Sequence, residues 1–153
     1  MSERVVLDTN ALVAALRSEN GASRAILRLC LRERCQPLVG GKLFAEYEHV
    51  LGRFELFMSS PLSHQERTEL IDAFLGVCEW IEVFFLWRPN LPDEGDNHLI
   101  ELAVAGAATA LVTQNIRDFQ RCELNFPSVK IETPAEFIKR WRRNYGDNDD
   151  PNS

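Results

Sequence analysis

Apolar and polar positions along this chain follow two rhythms. Short unbroken apolar runs suit strands covered on both faces, and longer stretches with an apolar residue every third or fourth position suit helices packed on one side. "RVVLDT" is of the first kind and ends on Asp8; "NALVAAL" then turns helical, with Thr9 or Asn10 suited to start the helix. "ASRAILRLCLRER" reads as a second helix, and "CQPLVG" as a brief strand whose Pro37 suggests its beginning or a sheet edge. "GKLFAEYEHVLGRF" sets Leu43, Tyr47, Val50, Leu51 and Phe54 along one helical stripe. At about 100° per residue, Glu46 falls on the border of that stripe and Glu48 points well away from it.

"SHQERTELIDAFLGVC" opens on a capping box, Ser63 with Glu66, and is the next helix. "WIEVFF" has the aromatic and β-branched content of a strand. The acidic stretch "LPDEGD" leads into "NHLIELAVAGA", where Leu99, Leu102, Ala103 and Gly106 form a narrow face for close packing on a sheet. "TALVT" and "VKIE" read as short buried strands, and "TPAEFIKRW" offers Thr133, Pro134 and Glu136 as N-cap, N1 and N3.

Strands alternating with helices predict an α/β domain with a mainly parallel sheet and right-handed crossovers. In such folds the functional crevice lies beyond the carboxyl ends of the strands. Asp8 ends the first strand, Thr113 to Asn115 end a later one, and Asp93 to Asp96 lie at a helix start, so all three can converge on one edge.

Composition narrows the picture. With 153 residues, 45% hydrophobic and 26% charged, the chain suits one folded domain and excludes wholesale disorder. The apolar run in "MSERVVLDTN" is far below the length of a signal-peptide core or a membrane span, so a cytoplasmic protein is expected. Cys30, Cys35, Cys78 and Cys122 show no CxxC pairing and read as core or near-core thiols rather than a zinc site. The net charge of −6 opposes general attraction to nucleic acid, but it averages unlike segments. Arg24, Arg28 and Arg32 recur at i, i+4, i+8, and Lys139, Arg140, Arg142 and Arg143 cluster ahead of an acidic tail, "GDNDDPNS".

The acids carry the candidate chemistry. Asp8 suits an N-cap, but Thr9 and Asn10 can also cap, which leaves Asp8 free for function at a strand end. Glu46 either reaches solvent past its apolar stripe or faces a site. Asp93 suits a helix cap; Asp96 lies where the helix dipole is already satisfied by its neighbours and is the better ligand candidate. Carboxylates drawn from separate segments repel unless neutralised, and a divalent cation is the economical solution. Oxygen donors without a His or Cys cluster suit Mg²⁺, with Mn²⁺ possible, rather than zinc. That chemistry points to hydrolysis of phosphate esters. A phosphatase or receiver-type domain is the weaker reading, because "LDTN" lacks the second aspartate of a DxD motif.

"VVLDTNALVAAL", "LFAEYEHVL", "LPDEGDNHLIELAVAGAATALVTQNIRDF" and "TPAEFI" resemble successive blocks of the PIN domain, in the branch of toxin components of toxin–antitoxin systems. The likeness runs to about Trp141. It implies a three-layer α/β/α sandwich and a metal-dependent endoribonuclease, with a nuclease domain over residues 1–142; the composition of the acidic end makes 143–153 read as a disordered tail. The family's first three acids fall on Asp8, Glu46 and Asp96, with Asp93 as an accessory ligand. The fourth falls on Asn115, a departure, since an amide supplies a neutral oxygen; Asp118 is the residue placed to compensate. Thr113 matches a strand-end Thr or Ser whose hydroxyl can orient a carboxylate. The resemblance further implies an RNA substrate, a cognate antitoxin and, together with Trp141, a homodimer. A catalytically weak PIN-like module that binds RNA or a protein partner is the alternative that Asn115 motivates. The arginines at 24, 28 and 32 are either a solvated face or a contact for RNA or antitoxin. His49, His64 and His98 receive no mechanistic role, and Trp80, Trp87 and Trp141 read as core or interface anchors.

Overall fold

The structure, a computed structural model of the chain, describes residues 3–83, 97–119 and 126–146. Among these, strands β1 (Glu3–Leu7), β2 (Cys35–Val39), β3 (Glu79–Trp80), β4 (Ala110–Val112) and β5 (Lys130–Glu132) form one parallel sheet of order β3-β2-β1-β4-β5. The helices are α1 (Thr9–Arg17), α2 (Ala22–Leu31), α3 (Gly41–Leu51), α4 (His64–Val77), α5 (Asn97–Ala105) and α6 (Pro134–Tyr145).

The apolar run of β1 reads as expected for a strand covered on both sides: consecutive Val5 and Val6 are both fully buried. Helix α5 packs on β1, β2 and β4, whereas α2 and α6 pack on each other, α2 reaching β2 and α6 reaching β4 and β5. The result is the expected α/β/α sandwich. Both capping boxes are made in full: Ser63 and Glu66 exchange hydrogen bonds of 3.1 and 2.9 Å, and Thr133 and Glu136 of 3.2 and 3.0 Å. Cys30 and Cys35 are buried and Cys78 is half-buried; burial pushes the Cys35 and Cys78 thiols up to about 12, which leaves them inert. Cys122 lies outside the described residues. No helix among the described residues is long and apolar enough to cross a membrane.

Several local expectations need correction. Pro37 sits mid-strand in β2, an inner strand, not at its beginning or at an edge. It is tolerated because β3 pairs only with Leu38 and Val39, so no ladder bond is asked of the proline on that side. The strand expected over "WIEVFF" is the earlier, two-residue Glu79–Trp80, because β2 ends at Val39 and leaves β3 little to pair with. Residues 84 and 85 lie outside the described residues. Helix α3 stops at Leu51 with Gly52 as its C-cap, so Phe54 begins a separate 3-10 turn instead of extending the stripe. Helix α6 runs on to Tyr145, past the expected domain end at 142, with the Tyr145 ring 4.9 Å from that of Trp141. Residues 147–153 of the expected tail are outside the described residues.

Of the basic cluster near the end, Lys139 and Arg143 are exposed, whereas Arg140 is drawn into an ion-pair network. Arg140 sits between two buried carboxylates, bonding Glu132 at 2.9 and 3.0 Å and Glu3 at 3.1 and 2.8 Å. Burial alone would raise the Glu3 carboxyl, but the Arg140 hydrogen bonds and charge outweigh it and hold Glu3 below its ordinary value. This network ties β1, β5 and α6 together.

Helices α2 and α5 end in Schellman turns whose left-handed residues are not glycine. Glu33 has φ 61° and Ala107 φ 53°. After α5, the Ala108 N–H donates to Ala103 O at 2.8 Å and the Ala107 N–H to Val104 O at 3.2 Å. The glycine of "AGA" is spent one residue earlier for packing, since a Cβ on Gly106 would stand 2.5 Å from Leu38 Cδ1.

Two outcomes are expected. Arg140→Gln leaves two buried carboxylates without their cation and should cost about 3 kcal/mol at neutral pH, read from urea melts. Ala107→Gly should stabilise by roughly 1 kcal/mol by removing left-handed strain, whereas Gly106→Ala should destabilise by about 1 kcal/mol or more through overpacking on Leu38. Equal melting temperatures for the two glycine-site variants would contradict this division of labour.

Candidate active site

The strand order reverses at β1, since β2 and β3 lie on one side and β4 and β5 on the other. The chain leaving β1 and the chain leaving β4 therefore part at a crevice beyond the carboxyl edge of the sheet. The ladder is carried one step past both strands: the Asp8 N–H donates to Val112 O and the Thr113 N–H to Glu132 O, each at 2.9 Å.

That step turns Asp8 inward. It is 8% exposed, and its carboxylate accepts from the Thr9 N–H at 2.7 Å, the fully buried Thr113 hydroxyl at 2.8 Å and Asn10 Nδ2 at 3.3 Å. Asp8 is thus the N-cap of α1 and also the centre of a polar cluster; the two readings of this residue are not exclusive. Thr113 is held in turn by the Asn115 N–H, which donates to its hydroxyl at 3.0 Å.

Thr9 links Asp8 to the second acid. Its hydroxyl donates to Glu46 Oε2 at 3.1 Å, and Glu46 Oε1 lies 2.8 Å from His98 Nε2. The stripe border of α3 therefore does face inward, as α1 and α3 pack together. Burial raises the Asp8 carboxyl above its ordinary value; hydrogen bonds from Thr113 and Thr9 pull it back, Glu46 pushes it further up, and His98 opposes that push.

A cavity of about 580 Å³ opens on this cluster, lined by Asp8, Thr9, Asn10, Arg17, Asn115 and Asp118 among others. Asn115 is exposed there, and Asp118 is half-buried in the 3-10 turn Ile116–Phe119. The structure thus brings Asp8, Glu46 and Thr113 into one hydrogen-bonded set and places Asn115 and Asp118 at the same cavity. Asp93 and Asp96 lie outside the described residues.

The arginine stripe does not exist as a common surface. Arg24 is buried, with Nε donating to Ala15 O at 2.6 Å, and so satisfies a carbonyl of the last turn of α1. Arg28 reaches Glu19 O at 3.2 Å, and Arg32 is the C-cap of α2. Trp141 is 2% exposed and belongs to the core, so it offers no surface for a dimer. Two residues at the site went unread in the sequence. His98 reads in the sequence as a lone histidine, since only its contact with Glu46, 52 positions away, reveals its place. Arg17, the one basic side chain lining the Asp8 cavity among the described residues, gave no signal beyond closing the helix that Asp8 opens.

The donors suit a hard divalent cation. Asp8 and Glu46 supply carboxylate oxygens, and the charge on Asp8 is disfavoured by burial and by Glu46, a condition that a cation relieves. Among the described residues no three His, Cys, Asp or Glu side chains cluster closely enough to hold a metal.

The family described as "PIN domain" matches residues 4–117. The chain is also similar to a chain in the crystal structure of VapBC2 from Rickettsia felis bound to a DNA fragment from their promoter. The TM-score is 0.55 at 20% identity, over 85% of this chain and 98% of that one. At that identity the likeness speaks for the fold. No curated protein matches.

The Asp8 shift sets a pH dependence. Because its folded-state value is raised above that of an ordinary aspartate, the folded protein binds more protons than the unfolded chain between the two values, and stability falls as pH rises through that window. Asp8→Asn removes this dependence. The melting temperature of metal-free variant minus wild type should therefore climb as pH is raised from about 4 to 7. A flat difference would mean that Asp8 ionises in the fold as it does in the unfolded chain.

Proposed function

The chain belongs to the PIN domain family, and from that premise we propose that it is a Mg²⁺-dependent endoribonuclease, the toxin half of a toxin–antitoxin pair. The observation that carries the reading is the pair Asp8 and Glu46, brought together from separate segments and joined through Thr9, which lines the crevice with Asp8. Like charges assembled at a strand-order reversal, with one held partly against its ionisation, are the arrangement a cation-dependent hydrolase needs.

Asp8 and Glu46 would hold the ion, with Asp96 as the third acid and Asp93 or Asn115 completing the set. When bound, Mg²⁺ (or Mn²⁺) supplies Lewis-acid polarisation of the scissile phosphate and acidifies water for attack. Thr113 keeps the Asp8 carboxylate from rotating out of the crevice, and Asn115 in turn holds the Thr113 hydroxyl. Arg17 offers a contact for a flanking phosphate, at the far end of the helix that Asp8 begins. Hydrolysis adds water across the P–O3′ bond and leaves a 5′-phosphate and a 3′-hydroxyl.

The partner in this reading is a smaller antitoxin that covers the crevice, acting with the toxin in the cytoplasm. The homodimer now rests on the family resemblance alone, since Trp141 is internal. A non-catalytic PIN-like module is the second reading, favoured by the neutral Asn115 and by the engagement of both Glu46 oxygens.

Cleavage of a labelled single-stranded RNA, with Mg²⁺ and with chelator, separates the two readings. Wild type should cut only with metal, and Asp8→Asn should lower kcat/KM by about 100-fold or more while remaining folded. Arg17→Gln should raise KM by roughly three- to tenfold with kcat kept, and reduce the salt slope of RNA binding by about 1. RNA binding without cleavage under every metal condition would favour the non-catalytic module.

A further inference from the structure

We infer that His98 is a positioning residue that clamps Glu46 in the orientation needed to bind a divalent cation, an inference that rests on the function proposed above. Glu46 is on α3 and its side chain is 42% exposed, so solvent leaves it free unless other elements hold it. Two contacts from other elements do. Thr9 at the start of α1 donates to Oε2 at 3.1 Å, and His98 in the first turn of α5 meets Oε1 at 2.8 Å.

His98 is suited to this because it cannot easily move. Its side chain is only 10% exposed, and the residues that follow it, Leu99 and Ile100, are fully or almost fully buried. Just past the far end of α5, Gly106 lies so close to β2 that a Cβ there would stand 2.5 Å from Leu38 Cδ1. The imidazole is thus held relative to the sheet, and its hydrogen bond passes that rigidity to a half-exposed side chain that would otherwise sample several rotamers.

The clamp leaves coordination capacity. An ionised carboxylate offers about four lone-pair sites and only accepts hydrogen bonds. The Nε2 atom is then the donor toward Oε1, and two accepted bonds leave lone pairs on both oxygens for a cation. Outer partners of this kind orient ligands, and their loss typically costs about 10- to 100-fold in metal affinity.

The test is calorimetric titration of Mg²⁺ into the metal-free full chain, comparing wild type, His98→Ala and His98→Gln, with His49→Ala as an exposed-histidine control. The alanine variant should bind Mg²⁺ about 10- to 100-fold more weakly. Glutamine, whose amide presents an N–H at a similar reach, should recover most of that loss, and the His49 variant should match wild type. In cleavage assays kcat at fixed Mg²⁺ should fall while KM for RNA is unchanged. Should His98→Ala not fold by circular dichroism, His98→Asn takes its place, being one carbon too short to reach Glu46. Wild-type affinity in the alanine or asparagine variant overturns the clamp, and so does a folded glutamine variant no better than alanine. Absence of Mg²⁺ binding by wild type itself overturns the proposed function together with the clamp, which distinguishes the two failures.

Discussion

The burial of β1 at the centre of the sheet is the constraint on which the rest of this structure depends. With β2 and β4 on its two sides and Val5 and Val6 fully buried, the chain leaving β1 emerges still inside the protein. The next residue is Asp8, and a carboxylate so placed must find donors among its neighbours because water reaches it poorly. Thr9, Asn10 and Thr113 supply them. The first turn of α1 and the exit of β4 are thereby coupled to one side chain, and Thr9 extends the link to Glu46 of α3.

The molecule handles buried negative charge in two contrasting ways. At Glu3 and Glu132 it closes the balance internally: Arg140 forms paired hydrogen bonds to both and holds Glu3 below its ordinary value despite burial. At Asp8 and Glu46 no arginine or lysine bonds either carboxylate among the described residues; hydroxyls, amides and one histidine do, and Asp8 is pushed up instead. A closed network serves stability, whereas an open one with a perturbed acid beside a cavity is the signature expected of a working site.

The scaffold around that site is rigid where it needs to be. Helix α5 carries His98 at one end and is seated on the sheet at the other, where Gly106 lets its backbone approach Leu38. The cost of that seat is displaced onto Ala107, which takes the left-handed turn that glycine would have taken more easily. The helix seated in this way carries the imidazole that meets Glu46.

By itself, the sequence determined what short-range physics controls. The alternation of apolar runs and helical stripes specified the parallel α/β class, and Ser63 with Glu66 and Thr133 with Glu136 announced two helix starts. It also singled out Asp8, as an acid at a strand end, and Glu46, as an acid on the border of an apolar stripe, and both accept hydrogen bonds from Thr9. Only the tertiary structure decided which strands adjoin, and so where that crevice opens. It alone placed Pro37 in an inner strand beside a partner strand too short to ask a ladder bond of it, buried Arg24, and paired Arg140 with two carboxylates. It alone joined His98 to Glu46. The reason is range: hydrophobic periodicity and capping act within a few residues, whereas the fate of a charge is set by partners 52 or 137 positions away, which no local pattern contains.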